Sequence, residues 1–382
     1  MTTQGTRRLV ALGVAACAVA AIVAWFWRGM PDAADHAQVA DSAENAAAAL
    51  QSAVAGNTGA SGSASTRNSR TGAASNAPPL PSTDLPLRDT LGELERRAGQ
   101  GDPRASCRLA MELDYCSSLH DWTRRIERQA SRRPVGLPGM LQQDLRDYVA
   151  NLQKWTDEAM QLSPHCEGVP IASSQERMQH WRTAALGGHV PAMTHYAIGS
   201  GFNRKNTLQD LTALGIYRAE AETMARRAAA AGDPLALMAL ISAYMPDPSH
   251  YVRDSAMRNM SEFDFVGYLQ QAVRKDLVET MALVLLGRQA YAGDDAPRTA
   301  RKLARRLAKQ IEVLDGLATP EQRLQARQRM QELRSEWAPI DPRESEIGPP
   351  LVSFFGVRGW DTDNFSICET GRRPPRPVPA TP

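Results

Sequence analysis

From Leu87 to Trp337 apolar residues recur at spacings of three and four, and no stretch shows sustained alternation of β-branched residues. That periodicity predicts helix almost throughout and no strands, so the expected fold class is all-α. One phrase appears twice in this region. "RRAGQGDPRASCRLAMELDYC" begins at Arg96 and "RRAAAAGDPLALMALISAYM" begins at Arg226, sharing G-D-P-x-A-x-x-x-L.

With the glycine as origin, Gly101, Gly188, Gly232 and Lys275 superpose. Three positions before them stand Ala98, Ala185, Ala229 and Ala272, and seven before stand Leu94, Trp181, Ala225 and Tyr268. Four after stand Ala105, Ala192, Ala236 and Glu279, and eight after stand Leu109, Tyr196, Leu240 and Leu283. The later origins are 44 and 43 residues apart, and the 87 residues from Gly101 to Gly188 make two periods. Each position has a physical reading. Glycine closes a helix in the left-handed conformation. Asp102 or Asp233 caps the next helix, and Pro103 or Pro234 takes its first position, where no N–H is needed. Alanine on both sides lets two antiparallel helices approach closely. Such a hairpin cannot bury its own apolar face, so the expected architecture is an α-solenoid with a period of about 43–44 residues.

The cleanest units are "WRTAALGGHVPAMTHYAIGSG" (Trp181 to Gly201) and "MARRAAAAGDPLALMALISAY" (Met224 to Tyr244). Their aromatic, A-x-x-G and A-x-x-x-L/Y pattern resembles Sel-one-like repeats, relatives of the tetratricopeptide repeat. The resemblance spans residues 88–116 and 178–295 of an expected helical-repeat domain at 87–337. Lys275 departs from the turn glycine, and no phrase is found near residue 144, so 117–177 reads as a divergent or expanded hairpin. The resemblance implies a scaffold whose concave face binds a protein or peptide, without catalytic residues. His195, Tyr196, Tyr244 and Arg288 are the expected binding residues on that face.

Flanking segments supply a cellular address. Leu9 to Trp27 is an uncharged apolar run of 19 residues, preceded by Arg7 and Arg8 and followed by Arg28. It is long enough to cross a bilayer and predicts a signal anchor with residues 1–8 in the cytoplasm. Val14 to Cys17 also resembles a lipoprotein processing site, but apolar residues continue past Cys17; a cleaved leader is the third reading. Residues 28–86, Ala-rich and then Gly/Ser/Pro-rich, predict a flexible linker, and residues 31–86 as coil would reach roughly 40 Å. The expected location is the inner membrane, with the helical domain in the periplasm. Residues 338–369 carry Phe354, Phe355, Trp360 and Phe365 and read as a covering segment, followed by a disordered tail at 370–382.

Cys107, Cys116, Cys166 and Cys368 follow the apolar run. An oxidising periplasm allows them three pairings, which sequence does not rank. The family resemblance implies Cys107–Cys116 or Cys116–Cys166, because bridged hairpins occur among exported relatives; Cys368 would then staple the C-terminal segment to the domain. His165 and Cys166 have no matching pair for a metal site. No G-x-S-x-G, H-E-x-x-H or Gly-rich phosphate loop is present. The net charge of +2 is nearly balanced, although Arg298, Arg301, Lys302, Arg305, Arg306 and Lys309 crowd one predicted helix.

The expectation is therefore a membrane-tethered periplasmic scaffold binding a protein or envelope component, with no cofactor, metal or nucleic acid. Two other readings fit the same residues. One is a cell-envelope hydrolase directed at peptidoglycan or an antibiotic; the other is an inhibitor or immunity protein against an envelope toxin or enzyme.

Overall fold

A computed structural model describes residues 78–131, 142–202, 210–246, 268–293, 296–342 and 365–371. All lie in one unit spanning residues 77–382. The predicted anchor at 9–27, nearly all of the predicted linker, Phe354, Phe355, Trp360 and the tail from residue 372 lie outside the described residues. Among the described residues no helix is long and apolar enough to cross a membrane.

The described residues are all-helical, without strands. The elements are α1 (Leu87–Gly99), α2 (Pro103–Ser131), α3 (Gln142–Leu162), α4 (Ser174–Leu186), α5 (Val190–Ile198) and α6 (Leu211–Ala230). They continue with α7 (Pro234–Tyr244), α8 (Leu269–Ala272), α9 (Leu277–Tyr291), α10 (Arg298–Asp315), α11 (Pro320–Glu336) and α12 (Ile367–Thr370). A 3-10 turn, Ser163–Cys166, follows α3. Packing is mainly between near neighbours: α1 on α2, α2 on α4, α4 on α5, α5 on α6 and α6 on α7. Beyond these, α7 meets α9, and α9 carries both α10 and α11.

Three joints between these helices are built alike. Gly101, Gly188 and Gly232 have φ of 86°, 88° and 91°. In each, the glycine N–H bonds three residues back, to Ala98, Ala185 or Ala229, and the next N–H bonds five back, to Arg97, Ala184 or Ala228. This pair of bonds is the Schellman closure, which satisfies carbonyls left over at the helix end. The residue after the glycine then caps the next helix. Asp102 Oδ1 accepts from Arg104 N at 3.0 Å, Asp233 Oδ1 from Ala236 N at 2.8 Å, and His189 Nδ1 from Ala192 N at 3.4 Å. At the fourth joint the closure is replaced. Lys275 Nζ and the Asp276 N–H bond to the carbonyls of Ala243 and Tyr244 at the end of α7, while Asp276 Oδ1 caps α9 through Glu279 N.

The repeat positions are core positions. Leu94, Trp181, Ala225 and Tyr268 are buried, as are Leu109, Tyr196, Leu240 and Leu283. Ala185, Ala229, Ala105, Ala192 and Ala236 sit at the close approaches and are no more than 1% exposed. The chain after α11 then folds across the α6–α7 joint, where Ala338 N–H bonds to Ala230 O at 2.8 Å.

That crossing makes Gly232 specific twice over. A Cβ there would stand 2.9 Å from Pro339 O, whereas one at Gly188 would meet nothing within 4 Å. G188A removes only the left-handed allowance and should cost about 1 kcal/mol. G232A must also displace the crossing segment and should cost about 2 kcal/mol or more. Urea unfolding of the two variants checks the order, and equal losses would mean that the crossing segment does not hold the joint.

Candidate functional site

The most elaborate polar construction lies on α2, the 29-residue helix that extends the first repeat. Two disulfides flank it. Cys107 is bonded to Cys368 of α12, and Cys116 to Cys166 of the 3-10 turn. The Cys107–Cys116 alternative is thereby overturned. Both residues belong to α2, and nine residues at 1.5 Å each separate them by about 13 Å, more than twice the span of a disulfide.

Between the two bridges lies a buried charged cluster. Arg108 pairs with Glu112 one turn further on, with side chains 2% and 0% exposed. His165 Nε2 stands 3.3 Å from Glu112 Oε2. Phe365, on the chain held by Cys368, closes the cluster from outside. Its ring stacks on His165 at 5.6 Å, meets Tyr115 edge-on at 5.8 Å and lies 4.9 Å from the Arg108 guanidinium. Burial pushes the Tyr115 hydroxyl up to about 12. Charges this deep require partners, because desolvation of an unpaired ion costs several kcal/mol.

A second network joins α2 to α4. Asp114 accepts from Arg177 Nε at 2.6 Å and from Trp181 Nε1 at 2.7 Å. Arg177 also donates to Ala172 O, Gly201 O and Ser117 Oγ. Burial pushes the Asp114 carboxyl up, against the downward pull of Arg177 and the Trp181 indole.

His189 fastens the same region from α5. Its Nδ1 accepts from Ala192 N, so the proton sits on Nε2, which donates to Cys368 O at 2.9 Å. Burial holds its pKa below the ordinary value; the Cys368 carbonyl and Asp102 oppose that effect and Arg104 adds to it. A histidine depressed in the fold contributes stability above its unfolded pKa of about 6.5, and that stability is lost as pH falls through the folded value. His180 is depressed by burial too, and shifts stability in the same direction. H189A should cost about 2 kcal/mol, from the cap and the bond to Cys368. H189N retains a cap and should recover about half while flattening the pH dependence between 7 and 5. Thermal melts across that range check both, and an unaltered pH profile in H189N would show that His189 is not the group that lowers stability as pH falls.

The four residues expected on a binding face have different fates. His195 is 2% exposed and stacks on Trp181 at 4.7 Å. Tyr196 is 2% exposed and donates to Glu220 Oε2 at 2.8 Å, a carboxylate also held by a two-pronged contact from Arg182. Tyr244 is buried, donates to Glu222 and lies under the Arg226 guanidinium at 5.1 Å. These three residues are buried among the described residues. Tyr196 occupies the same repeat position as Leu109, Leu240 and Leu283, a signal present in the superposition itself. Arg288 alone is exposed.

Glu279 was legible only as an imperfect alanine match. It occupies a buried repeat position and is held by Arg226 from α6 at 2.8 Å and by Arg329 from α11 at 3.1 Å. Among the described residues no group of three His, Cys, Asp or Glu side chains is placed to hold a metal ion. Comparison with models of known protein families, with curated proteins and with solved structures returns no match for this chain.

Proposed function

We propose that this chain is a membrane-tethered, disulfide-braced α-solenoid that binds a protein or envelope component outside the cytoplasm. The observation that carries the reading is that all four cysteines beyond the apolar N-terminal run are paired within the helical body. Paired structural cysteines belong to oxidising compartments, and the run of Leu9 to Trp27 would supply both export and tether. The recurring Schellman joints and neighbour-to-neighbour packing support the kinship with Sel-one-like repeats. In such an architecture each unit adds surface without adding chemistry.

The test has two parts. Mass spectrometry of envelope membranes under non-reducing conditions should recover both disulfide-linked peptide pairs from the full chain; four reduced thiols would sink the placement outside the cytoplasm. Crosslinking in intact cells should then give a discrete adduct of the full chain that is lost when residues 87–337 are deleted. An adduct that survives the deletion would assign binding to the tether and overturn the scaffold reading.

A further inference from the structure

Arg288, the exposed member of the expected binding set, borders a cleft of about 760 Å³ between the end of α9 and the first three turns of α10. Arg288, Arg298, Arg301 and Arg305 line it, with Ala292, Ala304 and Ala308. Spacings of three, four and seven place Arg298, Arg301 and Arg305 on one face of α10. Gly287 lets α9 come close at this point. A Cβ there would stand 3.2 Å from Leu307 Cδ1 of α10 and 3.4 Å from Leu237 Cδ2 of α7.

All four arginines are exposed, and none has a carboxylate partner among the described residues. Elsewhere the protein pairs its partly buried arginines closely, as with Arg182, Arg226 and Arg329. Like charges gathered in one cleft repel, and an anion between them relieves that cost. The start of α10 adds to the positive field. Its N-cap is Pro297, which has no side-chain acceptor, and no acidic residue occupies the first turn. Guanidinium groups bind phosphoryl oxygens in two-pronged fashion, which distinguishes them from the point charge of lysine.

We propose that this cleft is a binding site for a ligand carrying adjacent phosphoryl groups, from a soluble diphosphate or from phospholipid headgroups. It does not depend on the scaffold reading. The alanine floor leaves room for the anion, and the volume fits a ligand of headgroup size.

Phenylglyoxal modification of arginine, read by peptide mass spectrometry on the full chain, tests the site. In detergent with pyrophosphate, or in nanodiscs containing phosphatidylglycerol, Arg301 and Arg305 should be protected at least fivefold. Protection in phosphatidylglycerol nanodiscs but not in phosphatidylcholine ones assigns the lipid source, and protection by pyrophosphate alone assigns a soluble ligand. Titration calorimetry with pyrophosphate should show R301A/R305A binding at least tenfold more weakly than the parent. R327A/R334A, which removes the same charge from α11, should leave binding unchanged. Asp294 and Asp295, between the two helices in sequence, lie outside the described residues. If they neutralise the cleft, neither ligand will protect the arginines. That result, or equal loss in the α11 variant, overturns the proposal.

Discussion

Replacing Cys107 and Cys368 together by alanine should lower the melting temperature by roughly 10 °C or more. The bridge joins residues 261 apart in sequence, so its removal returns a long loop to the unfolded ensemble. Chain-entropy reasoning puts that at about 5 kcal/mol, and about 4 kcal/mol for the 50-residue separation of Cys116 and Cys166. At about 2–4 °C per kcal/mol for a domain of this size, both effects fall well within a calorimetric scan. The two variants should also differ in kind. Loss of Cys107–Cys368 should release the chain around Phe365 and Ile367, uncovering Arg108 and His165. Loss of Cys116–Cys166 should loosen α3 and the 3-10 turn while leaving Phe365 seated. Hydrogen exchange separates the outcomes. If the Gly371 amide, which bonds to Ile367 O, stays equally protected in the first variant, the disulfide is not what holds that chain down.

The other large effect is expected at Asp114. D114A leaves the Arg177 guanidinium buried beside Ala172 O and Gly201 O without its counter-charge, and leaves the Trp181 indole N–H without an acceptor. Breaking one side of a buried pair typically costs 3–5 kcal/mol, so D114A should destabilise by about 4 kcal/mol. R182A, whose contact with Glu220 is partly exposed, should cost about 1 kcal/mol. D114A combined with R177M should be less damaging than the sum of the two, since the second change removes the stranded charge. D114N, which keeps the shape and an acceptor oxygen for Trp181, provides a folded reference if D114A is too unstable to measure. Additive losses in the cycle would show that the two residues act separately.

The helical hairpins were legible because each repeat position answers to a local rule. Gly232 needs a left-handed φ, Asp233 caps, Pro234 starts a helix, and Ala229 and Ala236 permit close approach. Such rules act within about ten residues of chain, so the sequence displays them directly. Burial of His195, Tyr196 and Tyr244 was not legible by the same means. Periodicity marks which side of a helix is apolar, and Tyr196, Tyr244 and His195 are amphipathic residues that suit a groove or a core equally well. Whether the two tyrosine hydroxyls meet solvent or a carboxylate depends on Glu220 and Glu222 of α6, 24 residues after Tyr196 and 22 before Tyr244; His195 is covered by Trp181 of α4.

Sequence alone determined the helical class, the left-handed glycines of three joints, the Asp102 and Asp233 caps, and the oddity of the stretch around Cys116. Tertiary structure decided the cysteine partners, because Cys107 and Cys368 are brought together only when α12 docks on α2. It also decided that Glu279 is tolerable at an alanine position, through arginines 53 residues before it and 50 after. Arg288 likewise became part of a cleft only when Gly287 let α10 pack close against α9. The division has one physical cause. Backbone closure and capping are contacts between near neighbours, whereas the pairing of charges and thiols is set by which helices stack, and stacking buries residues that no local pattern connects.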